Sequence, residues 1–174
     1  QLSTETFIKL EKLLEKIFSF FSKIPDVELI IKLHPARDPW NEFVKSRIKN
    51  INPNITILQD VSSFEVLKTA YAIINLHTEL IPSTVLLESM IMQKPILNIT
   101  FLDKIDFDYD KTNAVYTILE KNISVNDIEK ILFNEKLRNS LITNGNKYVE
   151  QFLVNRGNAS EKFAEYLGNS RVES

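Results

Sequence analysis

Residues 74–97 read INLHTELIPSTVLLESMIMQKPIL and join two apolar runs, YAIINL at 71–76 and PILNI at 95–99. The first run is almost continuously apolar, which is typical of a strand in a parallel sheet that is covered on both faces. The segment between the runs has helical character and opens at Ser83 and Thr84, residue types that commonly begin helices. A buried strand, a helix and a second buried strand predict a βαβ unit with a right-handed crossover.

Short β-rich runs and helical patterns also alternate along the rest of the chain. VELIIKL (27–33) and NITIL (54–58) predict two further strands, and Ser62 with Glu65 forms the signature of a capping box. Helical patterns dominate after Ser124. The pattern predicts one α/β domain over residues 1–174, with a Rossmann-like open parallel sheet, helices on both faces and a C-terminal helical segment. The predicted helices cover 3–24, 39–51, 62–70, 125–133, 135–153 and 160–167, and a further helix opens at Ser83 and Thr84.

Composition excludes several classes of function. The chain of 174 residues can bury one sizeable core. Its net charge of −2 lacks the excess of basic residues that is typical of nucleic-acid-binding proteins, so we expect no nucleic-acid partner. The absence of cysteine excludes disulfides and thiolate sites and favours a cytoplasmic location. Because the chain begins with Gln1 rather than Met, we expect it to be one part of a longer, two-domain protein.

Two strand ends carry residues suited to chemistry. In a parallel α/β sheet, ligands bind beyond the carboxyl ends of the strands. His34 and Pro35 follow one predicted strand, and Ser83 and Thr84 begin the helix after another. A helix amino terminus suits a phosphate, and Glu88, one turn further on, could accept hydrogen bonds from ribose hydroxyls. These residues predict a nucleotide site, although each one has a structural alternative as a cap, a strand terminator or a solvated side chain.

The motifs resemble the C-terminal half of GT-B glycosyltransferases that make bacterial and archaeal surface polysaccharides. The resemblance rests on VELIIKLHPARDP, ITILQDVSSFEVLKTAYAIINL, PSTVLLESMIMQKPIL and the tail LRNSLITNGNKYVEQFLVNRGNAS, and it covers roughly Val27 to Ser160. The most similar members are the sialyl-, Kdo- and glycerophosphotransferase-like capsule enzymes with an HP motif and an S-[ST] motif. The resemblance implies one half of a GT-B fold.

The resemblance also implies roles for individual residues. His34 matches the HP histidine, which contacts the donor phosphate and helps the nucleotide to leave, and Pro35 shapes that loop. Ser83 and Thr84 match the hydroxyl pair that binds the donor phosphate. Glu88 matches a carboxylate near the ribose or base. The implied substrate is a CMP-, CDP- or UDP-linked sugar, with no cofactor and no metal.

Two features depart from the family pattern. Gln93 stands where the family usually has Gly, before the structural pair Lys94-Pro95. The segment from Asn75 to Pro82 is longer than usual, which makes its His77, Thr78 and Glu79 additional candidates for ligand contact.

The acidic stretch DKIDFDYD (103–110) resembles a calcium loop or the metal-binding D-x-D of GT-A enzymes. Lys111 occupies the Gly position of a calcium loop, and we expect no metal there.

The resemblance predicts a donor-binding domain that is inactive alone. A missing amino-terminal half would supply the acceptor-glycan site and the catalytic base, and the full-length protein would associate peripherally with the inner face of the membrane. Two alternatives stay open, a sugar-nucleotide 2-epimerase-like domain and a non-catalytic α/β interaction module. A serine hydrolase is disfavoured because no G-x-S-x-G elbow is present.

Overall fold

The computed structural model describes residues 4–35, 39–48, 55–78, 83–153 and 157–170 of the chain. Strands and helices alternate along these ranges, as the sequence pattern predicts. The strands are β1 (Leu29–Lys32), β2 (Ile55–Leu58), β3 (Ile73–His77), β4 (Ile96–Thr100) and β5 (Tyr116–Leu119). The helices are α1 (Thr4–Phe21), α2 (Pro39–Ile48), α3 (Ser63–Thr69), α4 (Thr84–Ile91), α5 (Asp108–Lys111), α6 (Val125–Phe133), α7 (Glu135–Phe152) and α8 (Ala159–Ser170), with a short 3-10 helix at Glu120–Asn122.

All strand pairs in the described ranges are parallel, and the predicted α/β class is confirmed. Hydrogen bonds divide the strands into a pair, β1-β2, and a triplet in the order β3-β4-β5, where we had predicted one continuous sheet. The two sheets nevertheless share one apolar core, because Ile31 and Ile57 pack in the same cluster as Leu97 and Ile99. Burial of common apolar surface therefore joins the two sheets.

Helices cover both faces of the β3-β4-β5 sheet, as predicted. Successive side chains of a strand point to opposite faces. Leu97 and Ile99 of β4 face the cluster that contains the buried side chains of α1 and α6. Ile96 belongs to a second cluster, with Leu86 of α4 and Val149 of α7. The strand β4 is buried along its whole length, as expected for a central strand of a parallel sheet with both faces covered.

The amphipathic helix α1 supplies much of the larger core. It buries seven apolar side chains along one stripe, while Glu5 and Lys9 form an ion pair on its exposed face. This apolar stripe and polar face match the helical periodicity of the sequence. Across the described ranges, no helix combines the length and the apolar character needed to cross a bilayer.

The C-terminal helices follow the prediction closely, but two elements before them were missed. The bounds of α6 and α7 agree with the predicted helices to within one residue. The predicted helices did not include the end of the acidic stretch 103–110, and the structure forms the short helix α5 there, from Asp108 to Lys111. β5 was not predicted, although Tyr116, Thr117 and Ile118 are residue types common in strands.

The predicted capping box of α3 is wrong in detail. Ser62 occupies the N-cap position, but its side chain makes no capping hydrogen bond. Glu65 instead contacts Lys68, with 2.6 Å between Oε1 and Nζ. Because Ser62 is exposed, water can satisfy the amide groups at this helix end.

The helix α4 ends in a Schellman motif that directs the chain into β4. The amide of Gln93 donates to the carbonyl of Met90, and the amide of Lys94 donates to the carbonyl of Ser89. Gln93 has a φ of 55°, in the left-handed region that favours glycine. The position where the family usually has Gly is therefore one where the backbone adopts a conformation that favours Gly.

Candidate functional site

A cleft of about 360 Å³ lies between the start of α4, the segment that leads into α5 and the end of α7. Its volume falls in the lower part of the range of small-molecule sites. Two hydroxyls, apolar and aromatic side chains, and two carboxylates line the cleft. The lining residues are Ser83, Thr84, Leu86, Leu87, Met90, Asp106, Phe107, Asp108, Tyr109, Tyr148 and Phe152.

The hydroxyl-rich end of the cleft is the amino terminus of α4. Ser83 occupies the N-cap position with an extended backbone, and its side chain makes no capping hydrogen bond. The first turn of α4 contains no acidic residue. The amide groups of a helix amino terminus attract anions, and the hydroxyls of Ser83 and Thr84 add donors at the same place. This end of the cleft can therefore receive a phosphate.

Two stacked aromatic pairs form a wall of the cleft. The rings of Phe107 and Tyr109 are stacked at a centroid distance of 5.1 Å, and those of Tyr148 and Phe152 at 5.7 Å. Tyr109 and Tyr148 join the pairs edge to face, with 6.5 Å between their ring centroids. Aromatic faces of this kind can stack on another planar ring. Sequence analysis missed this wall, whose local signals were the closely spaced Phe107 and Tyr109 and the spacing of Tyr148 and Phe152 by about one helical turn on α7.

Two exposed carboxylates lie on the same segment of the cleft. Asp108 Oδ1 lies 3.0 Å from Lys111 Nζ, and Asp106 Oδ1 lies 3.7 Å from the same nitrogen. Lys104 also approaches Asp106, at 3.6 Å. The lysines offset part of the negative charge, but solvent-exposed pairs interact weakly. An anionic group is consequently better placed near Ser83 than near Asp106.

Buried polar groups lie next to the aromatic wall. His77, at the carboxyl end of β3, is buried, and its ring meets Phe107 edge to face at a centroid distance of 5.1 Å. Asp110 accepts a hydrogen bond from the hydroxyl of Thr117 and another from the amide of Phe107. Burial raises the pKa of Asp110, against the opposing effect of these two hydrogen bonds and of the charge of His77. Sequence analysis did not select Asp110 as a site residue.

The cleft brings together two of the five predicted site residues. Ser83 and Thr84 line it, whereas His34, Pro35 and Glu88 do not. His34 and Pro35 are exposed after β1, and the carbonyl of His34 accepts a hydrogen bond of 2.8 Å from Asn41 Nδ2. The expectation that His34 shares one cleft with Ser83 is not met by this cleft, and the functional roles of all five residues stay predictions.

Glu88 contacts a neighbouring helix. It is half-buried on α4, and its Oε2 accepts a hydrogen bond of 2.5 Å from Ser63 Oγ at the start of α3. The contact ties α3 to α4, so a ribose hydroxyl would have to compete with Ser63 for this carboxylate. Of the lengthened segment, His77 and Thr78 are described, whereas Glu79 and Pro82 lie outside the described residues.

Acidic and histidine side chains within the described ranges do not gather into a group of three that could hold a metal ion. Comparison with known proteins found no matching family model, no matching curated protein and no matching solved structure.

Proposed function

We propose that this chain is the donor-binding domain of a GT-B-type glycosyltransferase, and that the cleft holds the nucleotide of a nucleotide-activated sugar. The observation that carries the proposal is the position of Ser83 and Thr84. Chosen from the sequence as phosphate ligands, they line a cleft whose wall is aromatic. The α/β architecture and the motif resemblance also support the proposal.

The cleft suits a nucleotide because its lining offers groups for two parts of such a ligand. A phosphate fits the amino terminus of α4, where Ser83 and Thr84 supply donors. A nucleobase fits the aromatic wall, where Phe107 or Tyr148 can stack on its face. During sugar transfer the departing phosphate gains negative charge, and donors already aimed at it stabilise that charge. The resemblance also assigns His34 to this phosphate, although His34 does not line the cleft.

The remaining features of the proposal follow from the resemblance. An amino-terminal half would supply the acceptor-glycan site and the catalytic base, so this domain alone would bind nucleotide without turnover. The sugar would be CMP-, CDP- or UDP-linked, no metal would take part, and the full-length enzyme would act in the cytoplasm at the inner face of the membrane in surface or capsular polysaccharide synthesis.

A non-catalytic interaction module is the second candidate, and the exposed aromatic residues of α8 favour it. Phe163 and Tyr166 are 63% and 69% exposed. Exposed apolar side chains on one helix can mark a protein contact. This candidate predicts that no nucleotide binds the cleft, so a single titration separates it from the transferase proposal.

The test is a calorimetric titration of the domain with CMP, CDP, UMP and UDP. Replacing both Ser83 and Thr84 with Ala should weaken binding roughly tenfold or more, because a hydrogen bond to a charged group contributes about 1.5–3 kcal/mol. The matched control is Ser140→Ala with Thr143→Ala, which removes two hydroxyls from exposed positions on α7 outside the cleft lining. Circular dichroism should show that both variants are folded. Equal nucleotide binding by the folded Ser83/Thr84 variant and the parent would refute the assigned phosphate site.

A further inference from the structure

A row of polar side chains crosses the three strands of the β3-β4-β5 sheet. Asn75 lies opposite Asn98 in the strand register, and Asn98 lies opposite Thr117. Asn75 Nδ2 donates to Asn98 Oδ1 at 2.7 Å, and Asn98 Nδ2 donates to Thr117 Oγ1 at 3.3 Å. Asn98 is fully buried. Buried polar groups are costly unless they are hydrogen-bonded, and each member of this row satisfies its neighbour.

The row ends on the carboxylate of Asp110 in α5. The hydroxyl of Thr117 donates to Asp110 Oδ1, and the amide of Phe107 donates to Asp110 Oδ2 at 3.4 Å. Every donor along the row points toward Asp110, so the final group must accept two hydrogen bonds and donate none. An ionised carboxylate meets this requirement, whereas an amide side chain would present one donor to another donor.

The residue held by this carboxylate belongs to the cleft. Phe107 lines the cleft, stacks on Tyr109 and meets the ring of His77. We infer that Asp110 is a positioning residue. The row from Asn75 to Thr117 orients its carboxylate, and this carboxylate holds Phe107 in place. The position of Phe107 in turn fixes the aromatic wall that receives the planar part of the ligand. The consequence for ligand affinity rests on the proposed function, but the placement of Phe107 does not.

The electrostatics of Asp110 distinguish positioning from simple stabilisation. Burial raises its pKa, and the titratable groups that interact with it are His77 of β3 and Tyr109 of α5. A raised pKa means that the folded protein holds the proton more tightly than the unfolded chain does. The stability contribution is therefore greatest at low pH and is lost as pH rises through the folded-state pKa. Burial therefore opposes ionisation of Asp110 and the hydrogen bonds from Thr117 and Phe107 favour it, so the role of the carboxylate lies in these contacts.

The first test follows the Phe107 amide by ¹⁵N–¹H NMR in the ligand-free protein. The amide shift should titrate with Asp110 in the parent, and this titration should disappear in Asp110→Asn. Thr117→Val should move the Phe107 signal, whereas Thr117→Ser, which keeps the hydroxyl, should leave it near the parent position. Asp103→Asn is the matched control, because Asp103 is an exposed carboxylate on the same connecting segment outside the cleft lining. An unchanged Phe107 titration in folded Asp110→Asn would overturn the inference.

The second test measures nucleotide affinity in the same variants. Asp110→Asn should weaken nucleotide binding by roughly tenfold while the protein stays folded, since a charge-assisted contact is exchanged for a repulsive one. If the parent binds nucleotide and folded Asp110→Asn binds it equally well, the positioning role is wrong. If the parent binds no nucleotide, the proposed function fails, and the Phe107 titration alone decides whether Asp110 positions the wall.

Discussion

The carboxylate of Asp127 allows the sharpest stability prediction, because four hydrogen bonds converge on it at the start of α6. Its Oδ2 accepts from the amide of Ser124 at 3.0 Å and from the hydroxyl of Ser124 at 2.5 Å. Its Oδ1 accepts from the hydroxyl of Tyr116 at 2.7 Å and from Lys130 Nζ at 3.3 Å. The carboxylate therefore caps α6 and also ties this helix to β5.

The size of the effect follows from the pKa of this group. Burial alone would raise the pKa of Asp127, but the hydrogen bonds from Ser124, Tyr116 and Lys130 outweigh it and lower the pKa from 3.8 to about 2. Each pKa unit corresponds to about 1.4 kcal/mol, so the ionised group stabilises the fold by about 2 kcal/mol. A lowered pKa means that this contribution is complete above about pH 5 and is lost as pH falls toward 2.

The perturbation is Asp127→Asn, which keeps the shape of the side chain and removes its charge. Urea unfolding followed by circular dichroism at pH 7 should show a free energy of unfolding about 2 kcal/mol below that of the parent, or a melting temperature lower by roughly 4–8 °C. The difference should begin to close below about pH 4, where the carboxylate of the unfolded parent chain binds a proton and that of the folded protein does not yet do so. Asp103→Asn, with the same charge change at an exposed position, should leave stability nearly unchanged. Equal stability of Asp127→Asn and the parent at pH 7, or a difference that does not shrink on acidification, would refute the reasoning.

Two further predictions concern residues chosen from the sequence. His34→Ala should weaken binding of phosphate-bearing ligands in calorimetry and leave nucleoside binding little affected, because the proposed contact is to the phosphate; an equal loss for both ligands would contradict that role. Gln93→Gly should raise the free energy of unfolding by about 0.5–1 kcal/mol, since glycine adopts the left-handed conformation without the Cβ penalty but has greater freedom in the unfolded chain. Gln93→Ala is the control and should not raise the free energy of unfolding. A lower melting temperature for Gln93→Gly would show that the Gln93 side chain stabilises the fold by more than its left-handed backbone conformation destabilises it.

Local features of the sequence were sufficient to predict the α/β architecture and the start of α4. The apolar run of β3, the hydroxyls at Ser83 and Thr84 and the periodicity of α6 and α7 each lie within a few consecutive residues. Strand and helix periods are read over such short windows, which is why these elements were predicted with bounds close to those observed. β5 is only four residues long, too short for its periodicity to separate it from the neighbouring loop.

The tertiary structure alone decided how distant residues meet. Glu88 was predicted to face a ribose, but the packing of α3 against α4 places Ser63 beside it. The aromatic wall joins Phe107 to Tyr148, and the polar row joins Asn75 to Thr117, across separations that no local pattern reports. Such contacts arise from strand register and helix packing, which depend on how the whole chain buries its apolar surface. The sequence by itself determined most of the helices and strands and the helix start at Ser83 and Thr84, whereas the walls of the cleft depend on long-range packing, because side chains far apart in sequence become neighbours only when the core closes.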